Sequence, residues 1–437
     1  MIFKRPAIVV ALISATLLLA NLINTTIAPD RFAAAYPAVV CSPTGTGLTS
    51  LISTPANDTK YKSIGSKTAT FKKIKTSRYT QSGTPIIMES KGVTPILWQA
   101  KSGIWAGAST CTAPVSSQWF VGGSSDVTSR GDLYLVNSGL SPAIADIEIW
   151  NENAVVAAKV ITVKPNSSTS VGLDSLAPGS KSIVLNVIAR AGRLNSFLVD
   201  ERGKGLRALG GDLVNPVDAP SKEIYIPAIP HQPKKDGRGN SGSTHILRVL
   251  VPGDTDSRIS VELSSAEGSF IPVGLQDRTI DNGRVFSIPL KPELSSKIFA
   301  IRISSENPIV ASVYSTTNAL SKNDFLWSTA TPKLTRSKFA ISGLSPTLLF
   351  MGENIAIAAE LTYVSGKTKI IGIDGVEFVN YQVPDKVRSI SFTRVSSRTY
   401  GAALVSTKSG SGYFPLRAGS ALTRAAVPTS NIAVLTP

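Results

Sequence analysis

The feature that most constrains this chain is a repeat. Four apolar segments carrying aromatic residues, QWFVGGSS at 118–125, EIYIPAIP at 223–230, DFLWSTAT at 324–331 and GYFPLRAG at 412–419, recur at roughly 90–105 residues, a period that marks tandem copies of one folding unit. Apolar strands that stop at turn signals follow in DLYLVNSG at 132–139, HILRVLVPG at 245–253 and TLLFMGE at 347–353. Alternating strands come next. ADIEIW at 145–150, RISVEL at 258–263 and IAAELTYV at 357–364 place Ile147 with Ile149, or Ile259 with Val261 and Leu263, on one face. Near the end of each copy, KSIVLNVIARAGRLNSFLV at 181–199, SKIFAIRISSENPIVASVY at 296–314 and VRSISFTRVSSRTYGAALV at 387–405 read as hairpins, with TPIIMESKGVTPILWQ at 84–99 a diverged fourth.

About seven strands per copy suit a two-sheet sandwich that buries its alternate faces. With 437 residues, of which 42% are hydrophobic, several such cores can be filled. The expected fold is all-β, with tandem immunoglobulin-like β-sandwich modules after an N-terminal hydrophobic helix. The boundaries are 1–35 for a signal or membrane anchor, 36–121, 122–226, 227–328 and 329–418 for the modules, and 419–437 for a tail. A β-propeller is the alternative, ranked second because no period of roughly 40–50 residues is visible. Trp119, Phe120, Tyr225, Trp327 and Phe414 are expected to pack into the junctions, with Gly122 and Gly123 turning the chain at the first. An anion-binding glycine loop there would need a following helix, and none is predicted.

Lys4 and Arg5 precede an uncharged stretch from Pro6 to Pro29, the form of an export signal with its basic end held inside. Its length approaches the ~20 residues that span a bilayer, which favours a retained anchor. Cleavage near Ala33-Ala34-Ala35, giving a secreted protein, is the second reading, and a lipidated Cys41 the third, disfavoured by Val39 and Val40 before it. Outside the cytosol Cys41 and Cys111, the only two cysteines, are expected to form a disulfide. The bridge constrains the unfolded chain by ~4 kcal/mol on the chain-entropy estimate.

Catalytic machinery is scarce. His231 and His245, the only histidines, flank a Gly- and Lys-rich loop containing Asp236 that reads as solvated rather than as a metal site. No Gly-x-Ser-x-Gly elbow occurs. Asp200 and Asp212 bracket a glycine-spaced loop and are the least implausible acid pair for glycoside hydrolysis, though turn residues capping strand ends explain them better. Asp254 and Asp256 lack the further ligands of a calcium loop. No catalytic residue, cofactor or metal is therefore assigned.

The charge balance is more informative. Lys and Arg number 45 against 29 Asp and Glu, a formal net charge of +16. Between Asp58 and Arg78 lie Lys60, Lys62, Lys67, Lys72, Lys73, Lys75 and Arg78 with a single acid, several at strand spacing and so expected to share a solvent face. Nucleic acid is a poor partner for an exported protein without interleaved exposed aromatics. Anionic wall polymers or an anionic lipid surface suit it better, and a face that only solubilises the protein is the plain alternative.

Cys111-Thr-Ala-Pro114, Gln118 through Gly123 and Leu133-Tyr-Leu-Val-Asn137 resemble an actinobacterial family of exported, often membrane-anchored proteins carrying a domain of unknown function. Leu176-Ala-Pro-Gly179, Leu198-Val-Asp200, Gly205-Leu206, Gly210-Gly211-Asp212, Leu250-Val-Pro-Gly253 and Asn307-Pro-Ile-Val310 extend the similarity over roughly residues 41–415 as spaced short motifs. Ser138 and Ser312 depart from it at turns. The resemblance implies a cell-envelope location and carries over no catalytic residue.

The expectation is a non-enzymatic envelope protein, extracytoplasmic and membrane-anchored through its N-terminal helix, with a structural or interaction role. It names no protein partner. The alternative is an accessory protein or enzyme acting on cell-wall glycan in an intermodule cleft.

Overall fold

The computed structural model describes residues 32–54, 59–68, 70–205, 207–233, 242–317 and 324–426. The apolar stretch expected to be an anchor lies outside them, as do Asp58 and Asp236. Among the described residues no helix is long and apolar enough to cross a membrane. Two compact units result. In one, Phe32–Ala35 pairs antiparallel with Thr423–Ala426. The other runs from Pro37 to Ala421 and is almost wholly β.

Within the larger unit one pairing order occurs four times. In the second repeat the strands are Ser117–Val121, Arg130–Asn137, Ala143–Asn151, Val155–Val163, Ser167–Gly172, Ile183–Ala191, Leu194–Lys204 and Arg207–Val214. The first, sixth, third and fourth make one sheet, and the fifth, second, seventh and eighth the other. The first repeat, residues 39–110, has the same order. In the third, Ile298–Thr317 serves as both sixth and seventh strand. Its residues 298–305 pair with Ser221–Pro230 and Ser257–Ser265, and its residues 310–317 with His245–Leu250 and Asp324–Thr329. In the fourth, Thr347–Tyr363 and Thr368–Gln382 likewise each do the work of two strands.

Three details differ from the sequence expectation. Each repeat has eight strand positions, not seven. The segments expected as hairpins are crossings, because in all four repeats the sixth strand pairs with the first and third and the seventh with the second and eighth; a strand that changes sheets makes a corner of the sandwich. The aromatic segments are not equivalent either, since QWFV and EIYI lie in first strands while DFLW and GYFP lie in eighth strands. The strand Ser117–Val121 pairs with Ile183–Ala191, so it joins the repeat that follows it. The order keeps the second–fifth and third–sixth pairings of an immunoglobulin domain but exchanges the partners of the first and seventh strands.

The eighth strands, Trp105–Thr110, Arg207–Val214, Asp324–Thr329 and Gly410–Pro415, pack against one another in ring order. Backbones meet closely here. A Cβ on Gly412 would stand 2.8 Å from the main-chain N of Ala108. The ring shuts where Ser337–Ala340 of the fourth repeat pairs in parallel with Val93–Lys101 of the first. Cores are shared accordingly. Leu135, Ile147, Leu185 and Leu198 of the second repeat enclose Phe325 and Trp327 of the third, and Trp98 and Ala108 of the first join Phe350 and Phe392 of the fourth.

Candidate functional site

The lysine-rich segment forms the outer edge of a sheet in the first repeat. Thr59–Ser63 pairs antiparallel with the edge strand Lys72–Ile74, setting Lys60 opposite Lys73 and Tyr61 opposite Lys72. Directly opposed residues share a face and neighbours along a strand alternate. Lys60, Lys62, Lys73 and Lys75 therefore belong to the outer face, whereas Lys72 belongs with Tyr61 and the buried Ile74. Lys67 is exposed in the intervening turn. Arg78 leaves the group, because its guanidinium lies against Gly343 of the fourth repeat and burial lowers its pKa. Among the described residues Glu89 approaches this face, 3.8 Å from Lys60 and 3.9 Å from Lys91. Lysines on an edge strand also block unwanted strand pairing, which is the structural role this face would have without a ligand.

The acid pair singled out in the sequence lies in the interior. Asp200 and Asp212 are opposed across adjacent strands, and both are fully buried. Asp200 Oδ2 accepts from Arg202 Nε at 3.0 Å and from the Trp327 indole Nε1 at 2.9 Å. Asp212 accepts from the main-chain N–H of Trp327 at 2.7 Å and of Leu213 at 2.8 Å. Burial pushes the Asp212 carboxyl well above the usual carboxylate range. Neither acid caps a turn, and neither faces a cleft. Asp324, which the sequence reading did not single out, accepts from Phe325 N at 2.8 Å and Gly211 N at 3.3 Å, and burial raises it to about 7. Arg248, also missed, donates to the carbonyls of Gly123 and Ile183 and lies 4.7 Å from the Trp327 ring. Burial first, then Arg202, lowers its pKa to about 9. The available signal was a charge inside an apolar strand, as in HILRVLV and DFLW. Asp212 and Asp324 accept from main-chain amides of the neighbouring repeat and Arg248 donates to carbonyls of the second repeat, so these groups tie repeats together.

The two histidines are buried, which corrects the solvated reading. His231 Nε2 is 3.2 Å from the Leu294 carbonyl, which can only accept, so that nitrogen carries the proton. Its Nδ1 must then accept from His245 Nε2 at 3.0 Å. His245 Nδ1 in turn accepts from the Ser315 hydroxyl at 2.9 Å. One carbonyl thus fixes both tautomers. Burial lowers both pKa values, that of His245 to about 3. Asp254 and Asp256 are exposed, and Asp256 accepts from Asn282 N at 2.9 Å in a turn. Among the described residues no group of three or more candidate ligands is placed to hold a metal.

The remaining candidates are structural. Cys41 and Cys111 form a buried disulfide, beside the paired main chains of Val40 and Thr112. Trp119 stacks on Trp150 at 5.2 Å among Val184 of the second repeat and Leu250, Val285 and Val310 of the third. Tyr225 stacks on Tyr400 between the third and fourth repeats. Phe120 fills the core of the second repeat, and Phe414 the core shared by the first and fourth.

The model of a family of unknown function, DUF5719, matches residues 95–369. No curated protein matches the chain. The crystal structure of Thermotoga maritima 1070 is 16% identical over 23% of this chain and 93% of that one, with a TM-score of 0.21, too low for the likeness to carry an inference.

Proposed function

Since the chain belongs to DUF5719, whose function is unknown, membership brings no activity with it, and we propose from its own residues that it is a non-catalytic protein of the cell envelope. In this reading it is exported and held by its N-terminal apolar segment. Its ring of β-sandwiches presents binding surfaces at the outer face of the membrane. Each sandwich is immunoglobulin-like in its two-sheet build, though not in its strand order.

One observation carries the binding role: the pairing of Lys60 with Lys73, which groups Lys60, Lys62, Lys73 and Lys75 on one outer face. Basic side chains near an anionic surface attract it at about 1 kcal/mol each, so four acting together suffice for a salt-sensitive association. Anionic wall polymers are the partner class. The alternation of hydrogen-bonded carboxylates with aromatic rings at the ring centre supports a rigid scaffold, because Asp212 uses both oxygens on main-chain donors and Asp200 Oδ2 accepts from the Trp327 indole and from Arg202. The test is a pull-down of the full chain against fractionated envelope polymers. Retention by the acidic fractions supports the reading, and equal retention by neutral and acidic fractions, or by none, contradicts it.

A further inference from the structure

Between the third and fourth repeats lies a cleft of about 110 Å³, lined by Glu262 and Arg302 on one side and Glu353, Glu377 and Arg398 on the other. Its ion pairs are long, and Glu377 Oε2 accepts from the Ser269 hydroxyl at 2.7 Å. Arg302 is 3.3 Å from Glu223 and 4.0 Å from Glu262, and Arg398 is 3.4 Å from Glu353. Elsewhere in the molecule Arg417 closes on Asp218 at 2.7 Å and Lys101 on Glu201 at 2.9 Å, the range of a formed charge-assisted bond. Arg302 Nε is buried without a partner among the described residues.

The backbone is irregular at the same place. Glu377 and Arg398 hold φ values of 59° and 56°, a left-handed conformation that residues with side chains adopt at a cost and that clusters at functional sites. The strand Thr347–Tyr363 loses register between Gly352, which faces Glu377, and Ile355. Backbone strain is thus accepted where charged side chains surround a gap.

Guanidinium groups and carboxylates joined by such long bonds suit a ligand that offers both donors and acceptors on one frame. A hydroxyl between a carboxylate and a guanidinium donates to the first and accepts from the second. A simple anion would meet three carboxylates here, and a simple cation two guanidinium groups. We propose that the cleft binds an uncharged saccharide unit, with Arg302 and Arg398 donating to its hydroxyls and Glu262, Glu353 and Glu377 accepting from them. Tyr225 and Tyr400, stacked with ring centroids 3.6 Å apart, hold the two repeats in place beside it. This site is separate from the lysine face and does not rest on it.

The test titrates the full chain with soluble tetrasaccharides of glucose, mannose and N-acetylglucosamine, read by calorimetry, beside Glu377→Gly and Arg398→Gly. Glycine accepts the left-handed backbone, so both variants should keep or raise the melting temperature. The expected result is that at least one sugar binds the wild type at low and physiological salt alike, and that each variant binds it at least tenfold more weakly. Absence of binding by all three sugars, or variants that bind as well as wild type, would overturn the proposal. A Lys60, Lys62, Lys73 and Lys75 to Gln variant should bind the sugar normally, and its failure to do so would move the sugar to the lysine face.

Discussion

Asp200 and Asp212 stand directly opposite each other on neighbouring strands, and both hold Trp327, one by its indole N–H and the other by its main-chain N–H. The acids belong to the second repeat and the tryptophan to the third, so two buried carboxylates fasten one repeat to the next. An acid pair that would suggest hydrolysis in an open cleft here supplies acceptors to an edge strand at the centre of a ring.

Replacing Trp327 separates packing from hydrogen bonding. Trp327→Phe keeps an aromatic ring but strips Asp200 of one donor, and should cost about 1–3 kcal/mol. Trp327→Ala also empties the shared core and should cost ~3–5 kcal/mol. Denaturant unfolding of both variants checks this. A Trp327→Phe variant as stable as wild type would mean that the indole N–H contributes nothing, and equal losses in the two variants that the packing of the ring does not.

The histidine pair makes stability fall in acid. Both folded pKa values lie below the usual value of 6.5, so the unfolded chain binds protons first. The contribution of the pair is therefore present above pH ~6.5 and is lost as pH falls toward ~3. The double variant His231→Gln with His245→Gln should lack this slope. Unfolding free energies of wild type and variant that run parallel between pH 8 and 4 would contradict the assignment.

Asp324 acts in the opposite sense. Its folded carboxyl is raised to about 7, above its unfolded value, so its favourable contribution is full below pH ~4 and is lost as pH rises through ~7. Asp324→Asn keeps an acceptor for Phe325 and Gly211 without a charge. Relative to that variant, wild type should lose stability from pH 5 to 8. A difference that does not change with pH would show that Asp324 is ionised in the fold throughout.

Local pattern revealed the strands and little of their pairing. HILRVLV and RISVEL announce themselves by apolar content and alternation, and the period between copies is visible at the same level. Whether a strand–turn–strand segment folds back on itself or crosses to the other sheet depends on distant partners, so residues 181–199 looked like a hairpin. QWFV and DFLW look alike because first and eighth strands are both buried beside neighbouring repeats, though their positions differ. The burial of His231 and His245 is set by Leu294 and Ser315, far along the chain, while the loop between them suggested solvent. The separation of Lys72 from Lys73 and Lys75 was available from alternation alone. The cleft beside Arg302 had no signature, because its residues converge only through the bends at Gly352, Glu377 and Arg398.

Trp119 should fasten the second repeat to the third. Its ring lies on Trp150 among residues of both, so Trp119→Ala should cost ~3–5 kcal/mol. Protease sensitivity should rise near Leu250 and Val285 rather than around Cys111. Cleavage confined to residues 111–125 would place the contact at the first junction instead.

The lysine face decides the functional account. Full-length protein in neutral detergent is passed over an immobilised polymer rich in carboxylates across a salt series, with the Lys60, Lys62, Lys73 and Lys75 to Gln variant and with Lys72→Gln beside it. The account predicts that wild type and Lys72→Gln are retained at low salt and released as the screening length shrinks below ~8 Å, and that the fourfold variant, folded by circular dichroism, is not retained. Wild type that flows through at low salt, or a fourfold variant retained as strongly as wild type, would contradict it.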